Sequence, residues 1–189
     1  MWEPLAVRSL GSYSTTQNLY KNKYGNKIIF EEINHDLELI FRYQWSSSNT
    51  FGFIKKSKLI NTSHSAVKVS LLDGIQNIMP ASIGSDEQNQ SSNLVDAYKR
   101  NELEEKTGLG IFALSAILVD KAEASEALKA NIVWSTGLED PTILISNKQI
   151  DLFKKGTSIE TELDIRASRG AYFVNKEIHL KANTEQKWM

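Results

Sequence analysis

Apolar and polar residues alternate over the first part of the chain, a pattern typical of strands with one buried face. The alternation is clearest at residues 37–45, and residues 27–33 precede it across a predicted hairpin turn at 34–36. Residues 51–60 and 67–71 repeat the pattern, with lysines on the side expected to face water. The sequence therefore predicts four consecutive strands joined by short polar turns.

The second half of the chain gives shorter and less regular elements. Residues 82–93 are polar and predict a long loop, whereas residues 94–107 fit either a helix or an extended arm. Residues 109–119 are apolar on both faces and predict a central strand covered on both sides. The remaining predicted elements are strands at 126–134, 143–145, 158–166, 171–174 and 178–182, and a helical turn at 149–153.

These elements predict an all-β fold, an antiparallel β-sandwich with little helix. Residues 27–189 form the predicted sandwich domain, and residues 1–26 are an N-terminal extension or its first strands. The chain stops soon after the turn-like residues 183–185, where a further strand could begin. We therefore expect the sequence to be one part of a longer protein.

Composition removes several classes of function. A length of 189 residues with 41% hydrophobic content is ordinary for one globular domain. The absence of cysteine excludes disulfides, thiolate metal sites and a cysteine nucleophile. A net charge of -1 shows no basic excess, so we expect no nucleic-acid partner. The sequence has neither a signal-peptide pattern nor a membrane-length apolar run, which predicts a cytoplasmic protein without a membrane partner.

No complete catalytic or metal-binding motif is visible in the sequence. His35, His64 and His179 do not have the spacing of a local zinc motif, and we interpret them as turn and surface residues. Adjacent carboxylates such as Glu31 and Glu32 are predicted to point to opposite faces of a strand and to be solvated. Nucleophile-elbow and phosphate-loop motifs are also absent from the sequence. We therefore predict no catalytic residue, no metal and no cofactor.

Two aromatic residues are candidates for carbohydrate binding. A flat aromatic side chain can stack on a sugar ring, and Trp45 and Phe51 flank a polar loop at residues 46–50. Trp45 and Trp134, however, are in register with apolar residues, which favours a position in the core for both. Phe51 is less constrained by its neighbours.

The segment SLLDGIQNIMP at residues 70–80 raises a second possibility for a binding site. A strand pattern leads there into Asp73-Gly74, which predicts a turn in which the glycine takes a positive φ. Asp73, Gln76 and Asn77 could line a sugar site or hydrogen-bond the backbone of the turn itself. The apolar residues around them favour the structural interpretation, a buried turn or a contact with a neighbouring domain.

The order of several motifs resembles that of a known family. These motifs are LINTS (59–63), VKVS (67–70), LLDGIQNIMP (71–80), YKRNE (98–102), TGLGI (107–111), residues 127–134, and RGAY (169–172). Together they resemble the N-terminal β-sandwich of carbohydrate-active enzymes of the cellobiose phosphorylase type, which has a galactose-mutarotase-like supersandwich. The resemblance spans most of residues 27–189.

That resemblance implies a non-catalytic role for the chain itself. In such enzymes the sandwich precedes a catalytic (α/α)-barrel, so the implied partner is a barrel domain in a parent glycoside phosphorylase or hydrolase. The sandwich would then serve domain packing, homodimer contacts or the rim of a sugar cleft. Two alternatives stay open: a free-standing carbohydrate-binding or aldose-epimerase-like domain, and a protein assembly module.

Overall fold

Strands make up most of the regular structure of residues 1–7, 11–116 and 129–189, which this computed structural model describes. In chain order the strands are β1 (Thr15–Lys21), β2 (Lys27–Asn34), β3 (Leu39–Ser48), β4 (Gly52–Asn61), β5 (Val67–Ile78), β6 (Lys99–Glu104), β7 (Leu109–Leu114), β8 (Asn131–Val133), β9 (Thr142–Leu144), β10 (Asp164–Arg166), β11 (Gly170–Leu180) and β12 (Glu185–Trp188). The helices are short: α1 (Ser85–Gln90), α2 (Ser92–Tyr98) and α3 (Ile150–Lys154). The predicted class, an all-β, antiparallel, sandwich-like fold with little helix, is confirmed.

The described strands form three sheets, with the orders β1-β2-β3-β4-β12, β10-β6-β7-β8 and β5-β11-β9. The first two sheets are antiparallel throughout. The chain divides into two compact units. Unit 1 consists of Met1–Ser70, Thr136–Glu139 and Glu177–Met189, and unit 2 consists of Leu71–Ser135 and Asp140–Lys176.

The five-stranded sheet lies in unit 1 and has two chemically different faces. Residues directly opposite each other in an antiparallel pair share a face, so the strand register assigns each side chain. On the aromatic face, the rings of Phe30 and Tyr43 stack with centroids 4.9 Å apart. The ring of Phe41 lies 6.0 Å from that of Tyr43 and 6.3 Å from that of Trp188. We call the opposite side of this sheet the polar face.

One buried apolar cluster of unit 2 is formed by side chains from β9 and β11. Leu144, Ala171 and Phe173 are buried together, and three half-buried residues pack against them, namely Leu72, Ile150 and Ile159. The strands β9 and β11 pair in register at this point, with Leu144 opposite Phe173. The strand predicted at 143–145 is therefore confirmed as β9 with its bounds shifted by one residue, and the side chains of residues 143–145 are buried.

The turn predicted at Asp73-Gly74 is wrong, because β5 continues through both residues to Ile78. Gly74 is not in the positive-φ region. A Cβ atom at this position would lie 2.1 Å from the carbonyl oxygen of Tyr172 and 2.7 Å from the Cα of Phe173. The glycine thus permits close approach of the β11 backbone, which is the other common reason for glycine in a strand.

The long loop predicted at residues 82–93 is also wrong, since α1 and the start of α2 occupy it. Buried polar contacts accompany these helices in place of an apolar stripe. The Nε2 of Gln88 donates to Asp96 at 3.2 Å, and the ammonium group of Lys99 donates to Asp96 at 2.7 Å and to the side-chain oxygen of Gln88. Such a network satisfies buried polar groups, and hydrophobic periodicity cannot reveal it.

Two further predictions need correction around β7 and β8. In β7 the residues are alternately half-buried and buried, so only one face is fully covered; residues 117–119 lie outside the described part of the chain. Trp134, predicted to be in the core, is 45% exposed. It follows β8, a three-residue strand at the edge of its sheet, which explains its exposure. Residues 126–128 of the same predicted element are likewise not described.

Candidate functional site

A row of charged and polar residues crosses the polar face of the five-stranded sheet. In register order the row is Asn18 on β1, Glu31 on β2, Arg42 on β3, Lys58 on β4 and Lys187 on β12. Directly opposite residues in antiparallel strands have Cβ atoms about 4.5–5.5 Å apart. The strand register therefore places three cationic side chains next to one another.

A groove of about 460 Å³ opens beside this row. The strand register turns the side chains of Arg42, Gln44, Lys56, Lys58 and Lys187 to this face, and all five residues line the groove. Its other lining residues are Ile29, Ser57, Thr136, Gly137, Trp188 and Met189, and most of the exposed lining surface is apolar. All the lining residues belong to unit 1. The volume falls within the roughly 300–1,000 Å³ typical of small-molecule sites.

One wall of the groove is built by backbone pairing between Thr136 and Met189. The amide of Thr136 donates to the carbonyl of Met189 at 2.7 Å, and the reverse bond is 3.0 Å long. Gly137 has a φ of +99°, and a Cβ there would lie 2.7 Å from the carbonyl oxygen of Lys187. Because both the φ and the close approach require glycine, Gly137 fixes this wall against β12.

Glu31 anchors the guanidinium group of Arg42 beside the groove. The buried Glu31 carboxylate accepts hydrogen bonds from Arg42 Nε at 2.7 Å, from Arg42 Nη2, and from Asn18 and Tyr20 at 3.0 Å each. Burial by itself raises the pKa of Glu31, but these hydrogen bonds, led by that from Arg42, outweigh it and lower the pKa. The same contact raises the pKa of the Tyr20 hydroxyl, because the hydrogen bond to Glu31 favours its protonated form.

The lysines differ in how far their charge is balanced. Glu185 bridges Lys58 at 2.9 Å and Lys187 at 2.5 Å, and the hydrogen bonds from Lys187 and Lys58 lower the pKa of Glu185. Lys56 has no ion-pair partner among the residues that the structure describes. With Arg42 and these three lysines against Glu31 and Glu185, the side chains of the site carry an excess of two positive charges.

The predicted aromatic candidates lie elsewhere in unit 1. Trp45 is half-buried on the aromatic face, in register with Lys55. Phe51 is 63% exposed in the turn between β3 and β4. Tyr24 and Phe53 are each 85% exposed at the same end of the sheet, where the β1–β2 and β3–β4 turns lie side by side. The structure thus places Phe51 at this exposed end of the sheet rather than in the groove.

The other three predicted residues lie on β5 in unit 2. Asp73 is half-buried, whereas Gln76 and Asn77 are exposed. Asn77 has a φ of 58°, a conformation that asparagine tolerates better than most residues. Asp73 and Gln76 are three positions apart, which in a regular strand directs them to opposite faces. The five predicted residues therefore do not form a single site in either compact unit.

The histidines and the adjacent carboxylates Glu31 and Glu32 do not form a metal or catalytic site in the described part of the chain. His35, His64 and His179 are exposed, as predicted; His35 contacts Thr16 at 2.9 Å. Glu31 and Glu32 do point to opposite faces, but their predicted solvation is wrong, because each is only 3% exposed. Glu32 is buried because it accepts hydrogen bonds from the N-terminal segment and from β1. In the described part of the chain, no three histidine, aspartate or glutamate residues converge as metal ligands.

Sequence reasoning missed the groove residues although a signal for them is present. Arg42 and Gln44 alternate with aromatic residues along β3, and Lys56 and Lys58 are separated by Ser57 along β4. Alternation within a strand shows that its two groove residues point to the same face of the sheet. It does not give the register between strands, which is what brings the two pairs together.

Comparison with known proteins gives no further guide to the groove: no family model and no curated protein matches the chain. Within the described ranges, every helix is too short or too polar to cross a membrane.

Proposed function

We propose that the chain is a non-catalytic β-sandwich module and that its polar-face groove binds a carbohydrate. The observation that carries this proposal is the lining of the groove by guanidinium, amide and ammonium groups from Arg42, Gln44 and Lys56. Sugar hydroxyls accept hydrogen bonds from all three kinds of donor, and the Gln44 amide can also accept one. An open sheet face presents these groups without requiring the backbone to move.

The chemistry beside the groove supports binding rather than bond cleavage. Glycoside hydrolysis needs two carboxyl groups across the scissile bond, one of them protonated. The groove lining that the structure describes contains neither a side-chain carboxylate nor an imidazole. Glu31 lies behind the guanidinium of Arg42 and has a lowered pKa, so it stays ionised near neutral pH. A carboxyl group or imidazole that could protonate a leaving group is therefore missing from the described lining.

The resemblance of the motifs supplies the wider context of the proposal. It supports a supersandwich of the galactose-mutarotase-like kind, within a parent glycoside phosphorylase or hydrolase of the cellobiose phosphorylase type. In that setting the groove would contribute to the rim of a sugar cleft or hold a chain of sugars near the catalytic barrel. A cytoplasmic location belongs to the same proposal.

Titration of the ¹⁵N-labelled chain with neutral and acidic oligosaccharides at millimolar concentration tests the proposal. We expect chemical-shift changes at Gln44, Arg42 and residues 136–137, and their loss in Gln44→Ala. Asn49→Ala, in the β3–β4 turn outside the groove lining, is the matched control and should bind as the wild type does. The absence of shift changes with every sugar tested, or binding that Gln44→Ala leaves unchanged, would refute the proposal.

A second candidate function is self-assembly through the exposed aromatic end of the five-stranded sheet. Tyr24, Phe51 and Phe53 are all exposed at this end, and contiguous exposed apolar patches mark interaction surfaces. We propose a second copy of the chain as the partner, which sedimentation equilibrium would detect as a dimer that Phe53→Ser dissociates. A monomer at all concentrations up to the millimolar range would remove this candidate.

A further inference from the structure

The charge of the groove is unusual for the surface of an antiparallel sheet. Like charges directly opposite each other on neighbouring strands destabilise a sheet, and opposite charges stabilise it. Nevertheless Arg42, Lys58 and Lys187 occupy three consecutive positions of one cross-strand row. The repulsion among them is a cost that a bound anion would relieve.

The protein balances this row only in part. Glu31 holds Arg42 from one side, and Glu185 is shared between Lys58 and Lys187. Lys56 lines the groove and, among the described residues, has no acidic partner. Lys56 and Lys58 are two positions apart on β4, so both face the groove.

From this arrangement we infer that the ligand of the groove is an acidic carbohydrate, and that Lys56 recognises its carboxylate group. This inference rests on the proposed function, because it specifies the class of sugar that the same groove takes. A carboxylate fits the site because the ammonium group of Lys56 supplies charge-assisted hydrogen bonds. The Gln44 amide lies in register with Lys56 and can bind a neighbouring hydroxyl.

The size and charge of the site argue against a nucleic-acid duplex, a long polyanion and a cation as the ligand. A groove of about 460 Å³ has room for a short sugar segment and not for a nucleic-acid duplex. The whole chain has a net charge of -1, so its positive charge is local and would not attract a long polyanion generally. A cation is an unfavourable ligand because the groove is already positively charged.

Three ligands matched in length test the inference by calorimetry: a uronic-acid oligosaccharide, the neutral oligosaccharide with the same linkage, and a single-stranded oligonucleotide. We expect the uronate to bind at least about tenfold more tightly than the neutral sugar at low salt. That difference should shrink at about 0.5 M NaCl because salt screens exposed charges. Lys56→Gln should weaken uronate binding by roughly five- to tenfold and weaken neutral-sugar binding much less, because glutamine removes the charge of Lys56 but keeps a hydrogen-bond donor.

Lys23→Gln is the control, because it removes a lysine from the exposed β1–β2 turn, outside the groove lining. It should bind the uronate as the wild type does. Equal affinity for neutral and acidic sugars, or no effect of Lys56→Gln, would overturn the inference and leave the proposed function standing. Failure of both sugars to bind would overturn both, as would tighter binding of the oligonucleotide at the same residues.

Discussion

Replacing Gly74 by alanine should strongly destabilise the chain, because β5 and β11 approach too closely there for any side chain. A Cβ atom would lie 2.1 Å from the carbonyl oxygen of Tyr172 and 2.7 Å from both the Cα and the Cδ1 of Phe173. Two of these three atoms belong to the backbone, so a rotamer change cannot relieve the overlap. The strands would have to move apart or slide.

The size of the effect follows from what surrounds the clash. Tyr172 and Phe173 are both buried, and Phe173 belongs to the core cluster of unit 2 with Leu144 and Ala171. Displacing them strains a packed core, and overpacking of this kind costs about 1–3 kcal/mol, occasionally more. Because the overlap involves backbone, we expect a cost of about 3 kcal/mol, at the upper end of that range. For a chain of this size that corresponds to a fall in Tm of roughly 6–12 °C.

Urea denaturation followed by tryptophan fluorescence, together with a thermal scan, measures this change. Gly84→Ala is the control, because Gly84 has an ordinary φ of -85° and a Cβ added there would have no atom within 4 Å. It should change the free energy of unfolding by no more than about 1 kcal/mol. If Gly74→Ala folds and its free energy of unfolding lies within about 0.5 kcal/mol of the wild-type value, the close approach of β5 and β11 is not as described.

Two further substitutions test the sheet of unit 1. Because the pKa of Glu31 is lowered in the folded chain, its ionised form contributes stability that is present above about pH 4.5 and lost as the pH falls through the folded-state pKa. Glu31→Gln should therefore lower the urea midpoint at pH 7 and give a flatter profile below pH 4.5, whereas parallel wild-type and variant profiles would contradict the assignment. Asn61→Ala should cost about 2–4 kcal/mol in urea denaturation, because the buried Asn61 amide donates to the carbonyls of Ser65 at 2.8 Å and Lys181 at 3.0 Å. The exposed Asn49→Ala is its control, and equal stability of the two variants would disprove this role.

The strands β2, β3 and β4 could be predicted because their alternation has a single cause. One face of their sheet packs aromatic side chains, whereas the other carries charged and amide side chains between isoleucines, so the period of two is visible in the sequence. The turn at residues 34–36 was predictable for a similar reason, since polar residues there interrupt the pattern. In β3, the residues that the local pattern predicts to be buried are those that the folded sheet covers.

Where burial depends on contacts distant in sequence, prediction failed. β12 was missed because its exposed residues carry little apolar pattern, and its pairing with β4 depends on residues more than a hundred positions away. The glycine of β5 was assigned to a turn because the neighbouring sequence does not show that the β11 backbone approaches it closely. Helix α1 was missed, and α2 was predicted only as one of two alternatives for residues 94–107, because buried polar groups accompany both helices.

Part of the candidate site was visible as composition but not as geometry. Lysines on the expected wet side of β4 were recognised, yet a solvated lysine and a ligand-binding lysine look alike in a sequence. Only the register, which sets Lys58 opposite Arg42 and Lys56 opposite Gln44, makes them parts of one surface. The aromatic candidates were chosen by type, and a stacking residue also needs an exposed face beside other ligand-binding groups.

The adjacent residues Glu31 and Glu32 explain why the function of this sheet is better sought in its cations. Glu32 accepts hydrogen bonds from the Trp2 indole at 2.5 Å and the Leu5 amide at 2.7 Å, so it fixes the N-terminal segment. Glu31 fixes Arg42 on the opposite face. Because both carboxylates are buried and fully engaged, neither is available as an acid or base. Among the charged side chains that face the groove, Arg42 pairs with Glu31, and Lys58 and Lys187 pair with Glu185. Lys56 is the donor left for the acceptor-rich, negatively charged ligand that we propose.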